Sequence, residues 1–561
     1  MRQNNVTKWK YDHSLNCLLF FAQRLDELLF HHTMDTYRYS SLSLRGLAAE
    51  YCIVYHDVKS GTINKKNLEH IIEELSARLD CDDVAKKILT KEFCSRFIKN
   101  YKSWDIKTQY ENIRYISRKL SNRTYYNHIV ESLKFLIEEN KKKSEIDEKV
   151  AAFVRELLDC GYNENYVYQI LHEVFFYNEV LSLESLDNFF SRFDFSEKSY
   201  DVFIGYSKDL SSLLPLYEEL DSSNLNVSII DPTSVPIGIK TKRRKTIFKF
   251  ENIKSYDAYS AFEIADAVSS CFANSYAFFR HDPNKISTYG QVMDEQNVIT
   301  TIRPKKLLKY RVSSLSRDAS TKNAESLIKV LFKNYENLFS FSKITSIHNS
   351  AISSENTSDS LLSLWSILES IVDDDNNENE KQLDKDNEDK KDRSKIGNVI
   401  SYIIPYLKST HIQKLVQTCM TDIIRWDMDF FSNHIQNNGF GSNDLEHTFA
   451  FLAFESTQSD RDSLFQNTEN YPLLRYRVYT LSDALKNSKG IKSLIKTHIQ
   501  RVTWHLYRIY RARNYIIHDA NANNQLNEGL VINLHSYVDT IFSEVITHIL
   551  HSPYNDSIYD A

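Results

Sequence analysis

The chain reads as mainly α, with a helical N-terminal region, a small central α/β module and a helical C-terminal domain. Three observations predict this. Apolar residues recur three and four apart over most of the length, the spacing of one helix face. The 561 residues hold only 11 glycines and 8 prolines, too few for a turn-dense all-β fold or a large doubly wound sheet. The 31 Phe and 34 Tyr carry far too much buriable ring surface for a disordered or collagen-like chain. The length allows about three to four domains.

Residues 1–195 read as helical throughout. Leu18, Phe21, Leu25 and Leu28 share one helix face; Leu68, Ile71, Ile72, Leu75 and Leu79 share another, after a break at Ser60 to Thr62. The stretch from Glu145 to Phe176 repeats the pattern with Val150, Phe153, Val154 and Leu157. This region carries no motif of known chemistry and reads as a scaffold or sensing surface. His31 and His32 point to different sides of a helix and read as ordinary polar residues.

The texture changes near Ser196. Tyr200 to Gly205, Leu225 to Ile230 and Thr246 to Phe250 are short β-branched or aromatic runs bounded by turn residues, and Asp257 to Ser275 is an apolar helix. Together they predict an α/β module over 196–315. Between its second and third strands lie Lys240, Lys242, Arg243, Arg244 and Lys245, followed later by Arg303, Lys305, Lys306, Lys309 and Arg311. Each cluster reads either as a solvated loop or as a footprint for RNA phosphates.

The C-terminal helical domain spans 320–555. Within it, residues 372–395 hold ten acidic and six basic side chains with one leucine, which predicts a disordered charged insertion. Helices resume at Gly397 and run to His551.

The composition excludes several functions. Lys and Arg number 69 against 75 Asp and Glu, a formal charge of -6, so no global field draws the chain onto nucleic acid or an anionic membrane. Seven scattered cysteines (Cys17, Cys52, Cys81, Cys94, Cys160, Cys271, Cys419) show neither zinc-ligand nor redox spacing and fit a reducing cytosol. Leu18 to Ala22 is too short an apolar run for a signal peptide, and no stretch reaches the roughly 18 residues of a membrane span. The expectation is a cytoplasmic protein without membrane contact. No phosphate-binding glycine loop, His-Glu-x-x-His or Gly-x-Ser-x-Gly is present.

The segment that carries chemistry runs from Trp504 to Asp519. Val502, Leu506, Ile509 and Ile516 mark its core-facing stripe. Asn514 and His518 are about 40° apart around the helix and share an edge, whereas Arg513 and His518 are about 140° apart and do not point together. Arginine's long side chain, or two copies of the helix facing each other, would close that gap. Arg511 lies nearly in line with His518 and on geometry rivals Arg513. A plainer alternative is that His518 caps the helix C-terminus while Arg513 pairs with a structural carboxylate.

Arg513-Asn-Tyr-Ile-Ile-His518 resembles the Arg-Asn-x-x-x-His signature of the HEPN superfamily. Upstream, Leu361 to Ile371, with Trp365 and Glu369, and then Lys395 to Ser401 are similar to the preceding helices of the ApeA-like branch found in abortive-infection proteins. The resemblance covers about residues 325–552 and leaves 1–195 without a family match. It implies an RNA endonuclease without cofactor or metal, in which a homodimer or higher homo-oligomer pools Arg and His from two domains. His518 would exchange protons with the ribose 2′-hydroxyl or the leaving oxygen. Arg513 would hold phosphoryl oxygens as negative charge builds. Asn514 would orient, Glu369 would pair with Arg513, and Arg511 would support. The resemblance further implies an anti-phage effector, silent until a trigger, such as a phage-derived one, engages the first 300 residues. Some HEPN members bind RNA or nucleotide, or dimerise, without cutting. A weaker alternative is that Tyr200 to Ser207 resembles the opening strand of a TIR domain, some of which hydrolyse NAD, with Glu263 as the acid to test.

Overall fold

The computed structural model describes residues 15–302 and 324–551, except 31–32, 178–180, 207–225, 231–234, 237–245, 281–289, 326–327, 330–334, 383–394, 519–527 and positions 39, 62, 141, 355 and 438. The fold is mainly α with one small sheet, as the spacing of apolar residues predicts.

The N-terminal region contains α1 (Asn16–Leu28), α2 (Leu44–Lys59), α3 (Lys66–Cys81), α4 (Asp83–Leu89), α5 (Lys91–Asn100), α6 (Ile106–Lys119), α7 (Asn122–Glu138), α8 (Lys143–Asp159), α9 (Glu164–Leu171) and α10 (Leu183–Ser191). Side chains one position before the helix set several starts: Ser43 accepts from Gly46 N at 3.0 Å, Asp82 from Ala85 N at 2.8 Å and Asp105 from Thr108 N at 2.9 Å. The helices close on one core through Leu18, Phe21, Leu75, Phe97, Phe153 and Phe189. α1 is buried on all sides from Cys17 to Leu28, including Gln23, Arg24, Asp26 and Glu27. Each of those polar groups is matched: Gln23 donates to Asn470 O at 3.1 Å, Arg24 pairs with Asp147 and Glu27, and Asp26 meets His172 Nε2 at 3.0 Å.

The central module comprises β1 (Lys198–Tyr206), β2 (Asn226–Ile230), β3 (Thr246–Ser255), α11 (Ala258–Arg280), β4 (Gly290–Asp294) and β5 (Ile299–Ile302). The strand order is β2-β3-β1-β4-β5 and all four pairings are antiparallel. The sequence reading found the first three strands and the helix but not the β4–β5 hairpin, whose strands are only five and four residues long and include Gln291 and Asp294. Tyr200, Val202, Ile204 and Tyr206 alternate onto the face covered by α11, where they meet Phe248, Phe250 and Phe262. Asn252, at φ 57°, forms a bulge that restores this alternation at Ile253. Gly290 is required where α11 crosses the sheet, because a Cβ there would lie 2.3 Å from the Phe262 ring.

The C-terminal domain is built from α12 (Tyr335–Ser353), α13 (Thr357–Gln382), α14 (Lys395–Trp426), α15 (Met428–Phe431), α16 (Asp444–Ala453), α17 (Gln458–Asn467), α18 (Pro472–Leu485), α19 (Ser488–His518) and α20 (Glu528–His551). It has two cores rather than one. Ile344, Trp365, Ile403, Leu506, Ile509 and Val538 form the first; Leu415, Ile423, Phe431, Phe451, Leu464 and Val478 form the second. The long helices α14 and α19 run through both. The charged stretch 372–395 is corrected in part: α13 continues to Gln382, since adding residues to an existing helix escapes the cost of nucleation. Positions 383–394 lie outside the described residues. The seven cysteines are free, and among the described residues no helix is long and apolar enough to cross a membrane.

Candidate functional site

α19 spans 31 residues and is clasped on opposite faces. Val502, Leu506, Ile509 and Ala512 enter the first C-terminal core together with Leu361, Leu364 and Trp365 of α13 and Ile396, Val399 and Ile403 of α14. Trp365 packs on Tyr510 with ring centroids 5.7 Å apart. Helices α13, α14 and α19 are therefore packed around one interior.

Arg513 extends this face at its C-terminal end. Its Nη2 lies 3.4 Å from Glu369 and its Nη1 donates to Asn514 Oδ1 at 3.0 Å. The Arg513 and Glu369 side chains are 24% and 26% exposed, so the guanidinium is reachable from solvent. The pair is long and partly solvated and contributes under about 1 kcal/mol to stability. Glu369→Gln should leave the urea midpoint nearly unchanged. If Glu369 positions Arg513 for RNA, the same substitution should slow cleavage roughly tenfold to a hundredfold, measured on a labelled strand.

The opposite face of α19 packs on the N-terminal region. Arg508 donates twice to Glu50 of α2, at 2.9 Å each, and once to Glu74 of α3 at 2.7 Å. Arg511 meets the same Glu50 at 2.8 Å. Tyr507 stacks on His70 with centroids 3.3 Å apart, and Tyr515 donates to Asp57. Burial alone pushes the Glu50 carboxyl up, but Arg508 and Arg511 outweigh it and hold it down at about 2. Burial, then the charge of Arg511, holds the His70 imidazole down at about 4 and hence neutral at cellular pH.

This corrects the reading of Arg511. Its side chain is 3% exposed and locked to Glu50, so it neither rivals nor supports Arg513 at an RNA site. The charge partner that decides this lies 461 residues away in sequence and leaves no mark on the local spacing. A second buried network holds the same two regions together: Arg477 of α18 donates to Glu27 of α1 at 2.7 Å and pairs with Asp147 of α8 at 3.5 Å. Sequence reading missed Glu50, Glu74 and Arg508 because single charges on amphipathic helices look solvated.

His518 is the last residue of α19. An unbroken helix places it about 140° from Arg513 and near the line of Arg508, Arg511 and Tyr515. Within one chain, Arg513 thus sits on the face turned to the C-terminal core and the His518 position on the face turned to the N-terminal region. His31, His32, Lys242, Arg243, Arg244, Lys245 and the second basic run from Arg303 lie outside the described residues.

Glu263, the acid of the alternative enzyme reading, lies on α11 and accepts from Asn163 at the seam with the N-terminal region. Asp257 and Ser260 meet that region too, through Asn163 N at 2.9 Å and Gly161 O at 2.9 Å. The antiparallel sheet lacks, among its described strands, the parallel crossover crevice in which a dinucleotide usually binds. Comparison with known proteins finds no matching family model, no matching curated protein and no matching solved structure.

Proposed function

We propose that the protein is an endoribonuclease of HEPN type, acting in the cytoplasm as a homodimer or higher homo-oligomer. The observation that carries this reading is the Arg513–Glu369–Asn514 cluster: a solvent-reachable guanidinium, fixed by an acid and an amide, five residues before a histidine at the helix end. Because Arg513 and the His518 position diverge by about 140° within one chain, the composite site takes the arginine of one chain and the histidine of another, from two copies of α19 that meet near its C-terminal end. There the ribose 2′-oxygen forms a bond to phosphorus as the bond to the 5′-oxygen breaks. A proton leaves the 2′-hydroxyl and one is delivered to the 5′-oxygen, with histidine handling that transfer and arginine holding the phosphoryl oxygens. The products are a 2′,3′-cyclic phosphate and a 5′-hydroxyl end.

The packing of α2 and α3 on the Arg508, Arg511 and Tyr515 line supports an effector that is silent until a trigger engages the first 300 residues. In that role it is an abortive-infection effector against phage. The test is cleavage of a labelled single strand by the full chain, with the ends of the fragments identified. A second reading, RNA or nucleotide binding or dimerisation without cutting, is favoured by one observation: Glu369 already occupies the charge of Arg513. Under it, Arg513→Ala changes RNA affinity while neither protein produces fragments.

A further inference from the structure

A second polar cluster lies in the C-terminal domain and shares no residue with the Arg513 group. His348 comes from α12, while His535 and Asp539 stand four residues apart on one face of α20. Asp539 Oδ1 lies 3.0 Å from His348 Nε2, and its Oδ2 lies 3.2 Å from His535 Nδ1. One donor atom from each of the three residues falls within 4.8 Å of the other two.

We propose that His348, His535 and Asp539 form a binding site for a divalent transition metal ion, zinc fitting best, which fastens α12 to α20. Two imidazoles and a carboxylate, with no thiolate, are the donor set of zinc and its neighbours rather than of calcium or magnesium. Metal–ligand bonds of about 2.0–2.2 Å at tetrahedral angles set donor atoms about 3.3 Å apart. The nitrogen–oxygen separations of 3.0 and 3.2 Å are close to that edge but run to Oδ1 and Oδ2 in turn, so the carboxylate takes the ion between its two oxygens or turns to offer one of them.

Access and freedom also fit. His535 is buried, but the Asp539 side chain is 48% exposed and that of His348 27%, so an ion enters from solvent and a fourth position stays open to water. The two rings stack with centroids 5.3 Å apart and planes 21° from parallel. One ring must therefore turn about its Cβ–Cγ bond for both lone pairs to meet the ion, and His348 is the ring with room to do so. Described ring contacts between the two helices are Phe341 and His348 against Phe542 and His348 against His535, and an ion would add a bonded tie to them.

The test uses the full chain, stripped with a chelator and then titrated with zinc chloride in a calorimeter and with cobalt chloride in a spectrometer. One equivalent should bind, the cobalt spectrum should lack thiolate bands from the free cysteines, and zinc should raise the melting temperature. His348→Ala and Asp539→Asn should each weaken binding about 100-fold or more, beyond the loss of an outer partner of a metal site, and remove the thermal gain. The proposal is overturned if the native chain binds no zinc, if both variants bind as it does, or if thiolate bands appear. Should the variants fail to fold, the cobalt spectrum of the native chain still decides between these outcomes.

Discussion

Arg513→Ala and His518→Ala should each reduce RNA cleavage at least about 100-fold, with far-ultraviolet circular dichroism and oligomeric state unchanged. Loss of a positioned proton-transfer group costs about 10²–10⁴ in rate, and loss of a charge that meets the developing oxyanion costs about 10²–10³. On the proposed reading the two groups act on one transition state, so the double variant should be little worse than either single one. Stability should be nearly indifferent to Arg513, whose one ion pair is long and a quarter exposed. Full cleavage by both variants would remove the assignment.

The second large effect concerns folding. Glu50→Gln should destabilise the chain by about 3–5 kcal/mol in urea unfolding at pH 7, because it leaves buried Arg508 with Glu74 alone and buried Arg511 with no carboxylate contact among the described residues. The sign of the pH dependence follows from the same site. Glu50 is held at about 2 in the folded chain against 4.5 as its ordinary value. Its contribution is thus complete above about pH 4.5 and is lost as pH falls toward 2. The native chain should lose stability over that window, and Glu50→Gln should lose less. If packing of α2 and α3 on α19 silences the proposed cleavage, the same variant should cut RNA faster at pH 7. A variant as stable as the native chain would show that the Glu50 network does not hold the two regions together.

Part of this was legible in the sequence and part was not, for definable reasons. The stripe of Val502, Leu506 and Ile509 was readable because helical periodicity is local, and all three are buried in the first C-terminal core. The pairing of Arg513 with Glu369, expected from resemblance to HEPN helices, is present as a 3.4 Å contact. Arg511 was misplaced because its environment depends on Glu50, a residue of a distant helix. The two cores of the C-terminal domain were also hidden: α14 and α19 each keep one continuous helical pattern while their partners change along the length. In the central module the β4–β5 hairpin escaped because its strands are short and include Gln291 and Asp294, although its pairing with β1 is regular from Tyr200 to Ile204. His535 and Asp539 stand four apart on α20, but His348 joins them only through the fold, so nothing in the sequence marks the trio.

The most direct test of the central claim is the chemistry of the RNA ends released by the native chain and by Glu50→Gln, each compared with the same protein carrying Arg513→Ala or His518→Ala. The expected result is fragments with 2′,3′-cyclic phosphate and 5′-hydroxyl termini, more abundant with Glu50→Gln and absent whenever Arg513 or His518 is replaced. Fragments with 3′-hydroxyl and 5′-phosphate ends, fragments that persist after both replacements, or intact RNA with both starting proteins would contradict it.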